Sequence, residues 1–339
     1  MANSIRIPNA RQLPSGSWRC EVYRNGRRGS FVKPTKEEAV KSGLMFLLTT
    51  DASDDTIEFV KNNLTLSEAI DLYIAKRSNI LSPSTIRGYK QIQNNRFQSV
   101  MYAPLSANHD WQYVINEEVA NGKSGKTIVN SWGLIRSVLN ENNISYKQPK
   151  LPQVINKDVA FLQPDQIKSF LKAIDGDRFE MAYLLCLHSL RRSEMLAVTK
   201  ENIADGKIYV QGSVVMNDKG KLVNKETNKN SSSRRTIPIF IERLRVLIEQ
   251  APDGVLVPYA AGNMFDHLKV ICKNSNLPAL GFHSLRHSFA SLCYHLGISE
   301  MGCQALGGWE DPTTMRKIYT HLAEIDKKEA EVKLKEFFL

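Results

Sequence analysis

The residues of this chain whose types and spacing could do chemistry lie in its C-terminal half, in three short runs. His188-Ser-Leu-Arg-Arg-Ser-Glu194 sets Arg191 where an apolar stretch ends, with Glu194 one helical turn on. His283-Ser-Leu-Arg-His287 sets Arg286 between two histidines at i and i+4. Leu306-Gly-Gly-Trp-Glu-Asp-Pro-Thr-Thr-Met-Arg-Lys-Ile-Tyr319-Thr-His321 leads to a tyrosine. Together these types suit the cleavage of a phosphodiester without a metal. That reaction needs a nucleophile at phosphorus, cations to neutralise the extra charge of the transition state, and an acid for the leaving 5′-oxygen. Paired arginines meet the second need because a guanidinium offers planar, paired donors and keeps its charge. Lysine or histidine can move the proton. A tyrosine nucleophile gives a covalent phosphotyrosine, which conserves the bond energy for rejoining.

Each run also has a plainer reading by itself. An arginine and a glutamate three apart make a surface ion pair. Two histidines at i and i+4 could hold a metal, although no third ligand is evident beside His283 and His287. A lone helical tyrosine packs into a core. The order of all three along one chain favours the joint reading.

The elements that must position these residues are legible in outline. The chain has 339 residues, long enough for two or three domains, and 42% of them are hydrophobic. Its formal charge of +10 favours an anionic polymer as partner. No apolar run is long enough to span a bilayer, and the N-terminus lacks the apolar core of a signal peptide. The five cysteines, without a CxxC pair, read as reduced thiols of a cytoplasmic protein.

Residues 1–58 read as a small sheet with one helix. Trp18, Cys20 and Val22 alternate with polar neighbours, Asn25-Gly26 is a hairpin turn, and Thr35 to Glu38 caps a helix through about Leu48. Residues 63–146 read as helical, with a capping box at Thr65 to Glu68 and a helix Thr85–Val100. A further helix carries Ile128, Trp132, Ile135 and Leu139 as its stripe. Residues 147–158 form the linker, its start KQPKLPQ stiff, extended and basic. Residues 159–339 are mixed but mainly helical, with helices expected at 164–174, 178–188, 192–199, 240–250, 262–275, 284–295, 299–306 and 312–319. Lys207–Val215 and Arg235–Ile239 suggest a small antiparallel sheet inside that domain. Gln163 stands before Pro164 where a better cap is usual, which weakens one helix start. The fold class is therefore multidomain and mainly α, with a small N-terminal β-sheet plus helix, a helical middle domain and a mixed α+β C-terminal domain.

LRRSE, then HSLRH roughly ninety residues on, then GGW…TTMRKIYTH, resembles the catalytic box of the tyrosine recombinases, the phage integrase family. The resemblance covers the whole third segment. The first two segments look like that family's arm-binding and core-binding domains. It implies that Arg191 and Arg286 hold the scissile phosphate, His283 assists proton transfer, and Tyr319 becomes joined to the DNA 3′-phosphate. It implies a lysine on a β-hairpin as general acid. Lys229, in Lys229-Asn-Ser-Ser-Ser-Arg-Arg-Thr-Ile-Pro238, keeps the family's distance from Arg235, and Lys225 is the alternative. Glu194 would support its neighbours, and His287 would pack and hydrogen-bond behind the site. The family usually has leucine-glycine-histidine before the nucleophile, with the histidine donating to the phosphate. Here the chain reads Leu306-Gly307-Gly308-Trp309. An indole N–H can supply the same donor; with the loop slipped by one residue, Gly308 stands there and the donor is missing.

The implied function is that of an integrase, which moves a phage or conjugative element into and out of a chromosome. Double-stranded DNA is the partner, at core-type and arm-type sites, with a homotetramer on DNA and a monomer when free. A directionality factor and a DNA-bending host protein would be accessory, and no membrane is involved. No metal or nucleotide cofactor is needed, because the exchange is close to isoenergetic. Arg19, Arg24, Arg27 and Arg28 on the N-terminal hairpin could enter a major groove. Arg87, Lys90, Lys123 and Lys126 are candidate phosphate contacts in the second segment. The amphipathic tail ending Phe337-Phe338-Leu339 suits docking on a neighbouring protomer. Three other readings share the fold. A dimer resolvase normally lacks an arm-binding domain, which residues 1–58 supply. A topoisomerase that uses the same residues would be separated by the synaptic tail and by two-site binding. A DNA-binding regulator that has lost catalysis would not need Arg191, Arg286 and Tyr319.

Overall fold

The structure is a computed structural model that describes residues 8–24, 26–49, 64–155, 160–225, 235–309, 313, 315–316, 322, 331 and 334–338. The chain divides into two compact units, Met1–Asn156 and Lys157–Leu339.

The first unit opens with three antiparallel strands, β1 (Ala10–Gln12), β2 (Trp18–Arg24) and β3 (Arg27–Lys33), ordered β1-β2-β3. Alternation decides which face is buried. Ala10, Cys20 and Val22 turn inward against Ala39 and Leu47 of α1 (Lys36–Thr49), while Arg19, Glu21 and Tyr23 turn the other way. Arg24 pairs with Arg27, so the connection is two residues long, with Gly26 at φ +75°. Gly43 lets α1 approach the sheet, since a Cβ there would meet the Cys20 Sγ at 2.5 Å. Asn25 and the acidic joint at 51–55 lie outside the described residues.

Helices α2 (Leu66–Lys76), α3 (Pro83–Asn95), α4 (Gln98–Met101), α5 (Trp111–Ala120) and α6 (Gly125–Glu141) follow. The Thr65 capping box forms, with the Thr65 N–H donating to Glu68 Oε2 at 2.9 Å and the Glu68 N–H to Thr65 Oγ1 at 3.2 Å. Ile128, Trp132, Ile135 and Leu139 of α6 are all fully buried, each side chain contributing about 1.5–3 kcal/mol. One expectation fails here. The helix expected over Thr85–Val100 breaks after Asn95, because the Phe97 N–H is drawn to the buried Glu118 Oε1 at 2.7 Å with Phe97 at φ +53°. The start of the expected linker, 147–153, is docked on the helices. Lys150 exchanges two hydrogen bonds with Gln112, Leu151 packs on the helical core, and a Cβ on Gly125 would collide with the Gln153 carbonyl.

In the second unit α7 (Pro164–Ile174) starts with the Gln163 N–H donating to Gln166 Oε1 at 3.0 Å, and α8 (Glu180–Leu187) is buried nearly all round. Then come α9 (Arg192–Met195), β4 (Ile203–Ala204), β5 (Lys207–Val210), β6 (Ser213–Met216), β7 (Leu222–Lys225) and β8 (Arg235–Pro238). Helices α10 (Glu242–Gln250), α11 (Ala261–Asn274), α12 (Phe282–His295) and α13 (Glu300–Gly307) complete it. The core joins Phe170, Tyr183, Leu190, Ile208, Ile237 and Leu285. Helix α9 is shorter than the 192–199 expected, because Val198 and Thr199 leave it to bridge to Leu256 and Val255. The strand run expected over 207–215 is interrupted at Gln211-Gly212, so two sheets form: β4-β5-β8, and a separate β6-β7 hairpin across the 217–220 turn. No helix among the described residues is long and apolar enough to cross a membrane.

Candidate active site

Arg191 is the N-cap of α9, which turns its side chain back over the first helical turn. Its backbone N–H donates to Glu194 Oε2 at 2.8 Å and its Nη1 to Glu194 Oε1 at 2.7 Å. Arg286 sits on α12 at a position where the helical spacing calls for an apolar residue. Phe282, Leu285, Phe289, Ala290 and Cys293 share its buried face, and Arg286 is only 4% exposed. Its Nη1 donates to the Ser189 carbonyl and its Nη2 to the Gly308 carbonyl at 3.2 Å. Arg191 Nη2 donates to that same Gly308 oxygen at 3.1 Å. One oxygen is thus held between the two guanidiniums that the motifs single out, although they lie 95 residues apart in the chain.

Two backbone conformations make this possible. Ser189, at φ +78°, ends α8 with a left-handed residue that turns its carbonyl toward Arg286 and Arg235. Gly308, at φ +63°, caps α13. A Cβ on Gly308 would fall inside the Arg235 side chain, and one on Gly307 inside the Trp309 ring. The pair of glycines therefore lets a backbone carbonyl, a guanidinium and an indole close on one point.

Arg235 is the member of the cluster that the motif reading used only as a spacing mark. On β8 it alternates with Thr236 and points to the same side as the buried Ile237. Its Nη1 donates to Glu194 Oε1 at 3.0 Å and its Nη2 to Glu194 Oε2 at 2.8 Å. Burial alone would raise the Glu194 pKa, but Arg235 and Arg191 outweigh it and hold the carboxyl at about 2. Burial, then the charges of Arg191 and Arg235, push Arg286 down to about 9. Three guanidiniums against one carboxylate leave this partly buried cluster with two positive charges in surplus, an arrangement suited to an anion.

The histidines flank it. His283 is solvent-exposed, yet desolvation of its ring and the charges of Arg192, Arg286 and Arg191 lower its pKa, which favours the neutral imidazole. His287 is lowered to about 4 by burial, then by His283 and Arg286, and its Nδ1 is buried with no hydrogen-bond partner among the described residues. Trp309 is buried, with its ring 4.2 Å from the Arg286 guanidinium and stacked on Phe289 at 6.3 Å. Lys225 ends β7 half-buried. Lys229 and Tyr319 lie outside the described residues, as do most of 312–319.

The basic residues of the first unit are not equivalent. Arg19 and Arg28 lie on the sheet face away from α1, where Arg28 donates to Glu21 at 2.8 Å and stacks over Tyr23. Arg11, which the sequence reading passed over, pairs with Arg19 across β1 and β2. Arg24 and Arg27 sit at the turn. Lys90 is engaged by Asp71 and by Gln93, at 3.0 Å, within its own helices. Arg87 and Lys123 are half-buried, and Lys126 is exposed.

The phage integrase family matches residues 160–325. The chain is 22% identical over 275 residues to a protein named tyrosine recombinase XerC-like from Caldanaerobacter subterraneus, covering 67% of this chain and 70% of that one. It is 25% identical over 206 residues to the integrase of Salmonella phage P22, covering 56% of this chain and 51% of the relative. Its fold is like that of the Tn1549 transposon integrase solved with transposon right-end DNA, at TM-score 0.63 and 20% identity, over 80% of this chain and 99% of the other. The family match begins before α7 and runs past Tyr319, so it takes in all three motifs, and residues 160–325 belong to the phage integrase family, the tyrosine recombinases.

Proposed function

We propose that this chain is the integrase of a phage or conjugative element. It recombines two specific DNA sites through a 3′-phosphotyrosine at Tyr319 and a Holliday junction. The observation that carries the reading is the Gly308 oxygen held by Arg191 at 3.1 Å and Arg286 at 3.2 Å. It shows that the two guanidiniums converge on one acceptor, and a non-bridging oxygen of the scissile phosphate beside it would meet the same two cations in the transition state. The Tyr319 oxygen attacks phosphorus as the bond to the 5′-oxygen breaks. The phenol proton passes to neutral His283, and Lys229, or Lys225 in its place, protonates the leaving 5′-oxygen. Trp309, whose ring face lies on Arg286, would donate its indole N–H to the phosphate where the family usually has a histidine. Glu194 orients Arg191, and His287 lies behind the site. One phosphodiester is exchanged for one phosphotyrosine, so no nucleotide is consumed.

Exchange between two duplexes cuts four strands, which calls for four copies on DNA. Leu334, Phe337 and Phe338 of the C-terminal tail are exposed and suit docking on a neighbouring copy. Residues 1–58 would bind arm-type sites and 63–146 the core-type site, with 147–158 between them and the catalytic domain, 159–339. A directionality factor and a DNA-bending host protein would bias the outcome in the host cytoplasm. The test is a nicked suicide duplex carrying the DNA that flanks the gene. Wild type should trap a covalent adduct that Tyr319→Phe does not form. Absence of an adduct on the correct site, with binding retained, overturns the reading.

A further inference from the structure

The site holds one guanidinium more than two-arginine phosphate chemistry requires. Arg235 has its side chain only 8% exposed and takes both oxygens of Glu194. Arg191 uses the same carboxylate through Nη1 and its backbone N–H. Without Arg235, the Glu194 charge would fall on Arg191 alone and largely cancel it. Arg235 is sealed beneath Gly308, whose Cβ, if it had one, would collide with the Arg235 Cδ, Nε and Cζ. Arg191, by contrast, has a side chain 35% exposed. The Arg235 Nε–H is buried with no partner among the described residues, a cost that a residue kept only for packing would not carry.

We infer that Arg235 is a positioning residue of the recombination reaction: it serves as the counter-ion of Glu194, so that Arg191 keeps its charge for the DNA phosphate. Glu194 fixes the direction of Arg191, and Arg235 takes up the charge that Glu194 brings. Arg235 also shares the Ser189 carbonyl with Arg286, at 3.4 Å, which ties both phosphate-facing arginines to one buried hub. The guanidinium surplus is two with Arg235 and one without it.

This inference rests on the reading of the site given above, and the test separates the two. Single-turnover adduct formation is measured on the nicked duplex, together with DNA affinity and thermal melting. R235Q should bind the duplex within about threefold of wild type, because Arg235 is buried, yet form adduct about a hundredfold more slowly. R235K keeps the charge without the paired geometry and should lose about tenfold. E194Q placed in R235Q restores a surplus of two and should recover about tenfold or more over R235Q. Wild-type speed in R235Q overturns the inference. So do equal losses in R235K and R235Q with no recovery in the double variant, the pattern of a merely structural residue. If melting shows that R235Q does not fold, the double variant, which buries no unpaired carboxylate, carries the test. Adduct within about tenfold of wild type then supports the inference, and its loss overturns it. If wild type itself forms no adduct, the functional reading fails instead, and inorganic phosphate becomes the probe. It should raise the melting temperature of wild type more than that of R235Q, and equal rises would overturn the inference.

Discussion

The N-terminal hairpin and the pocket beside α9 both gather arginines and treat them oppositely. On the hairpin, Arg27 and Arg28 stand in solvent, and the ion pair of Arg28 with Glu21 is itself exposed at the surface. Water screens such a pair, so it adds little to stability. In the pocket, Arg235 and Arg286 are nearly sealed, and their Nη donors reach Glu194, Ser189 and Gly308. There the dielectric is low, each partner fixes the next, and removal of one leaves another uncompensated. The same side chain is replaceable in one region and irreplaceable in the other, because burial rather than charge sets its weight.

The sharpest way to break that comparison is to remove a buried guanidinium. Arg286→Ala should slow adduct formation by about a thousandfold, or about 4 kcal/mol, with DNA affinity changed far less. A loss of no more than tenfold would mean that the pocket arginines are as dispensable as those of the hairpin. Acid sharpens it next. Glu194, held at about 2, would titrate near the ordinary carboxylate value in the unfolded chain. Its contribution of about 3 kcal/mol is therefore complete above about pH 4.5 and lost as the pH falls toward 2. Urea unfolding of wild type should weaken over that window, and Glu194→Gln, less stable at neutral pH, should show a shallower acid dependence there. Parallel curves would refute the assignment.

The pocket was legible in part because its residues fall in short motifs of fixed order. Arg286 was singled out by the order of motifs and Gly307-Gly308 as a departure from the family's pattern, while the apolar register of Arg286 on α12 and the helix end at Gly308 emerge only in the structure. Arg235 was not singled out, because its partner Glu194 lies 41 residues away and only the β5-β8 pairing brings β8 there. Long-range pairing was also what the helical periodicities could not supply. Periodicity continued α3 through Phe97, where a contact with Glu118 bends the chain, and proline content marked 147–153 as a stiff, extended linker but carried no sign that Gln112 and Gly125 hold its start to the helices. The Thr65 cap and the α6 stripe, which depend on near neighbours alone, were legible, whereas the Asp110 cap of α5 was not singled out. Of the hairpin, alternation gave the buried face, but the pairing of Arg11 with Arg19 depends on a strand register that three residues do not announce.

A smaller effect is expected at the backbone that joins the pocket. Gly308→Ala places a Cβ at φ +63° and against Arg235, and should cost about 1–3 kcal/mol of stability. Adduct formation should fall with it, because the carbonyl that aligns Arg191 and Arg286 has to shift. Gly26→Ala, also at positive φ but with open space around it, should pay only the backbone strain, about 1 kcal/mol. Equal melting shifts in the two variants would show that the Arg235 contact carries no weight.

The least effect belongs to the exposed arginines. Arg27→Ala should leave melting temperature and single-turnover adduct formation on a core-type duplex within about twofold of wild type, since the side chain is exposed. Its loss should instead appear on a duplex that carries the arm-type site, as about one unit less in the slope of log affinity against log salt. Arg28→Ala should behave alike but more weakly, because Glu21 already takes part of its charge. If either variant lowered core-site cleavage as Arg286→Ala does, exposure would not separate the two arginine clusters, and the hairpin would have to be counted as part of the catalytic apparatus.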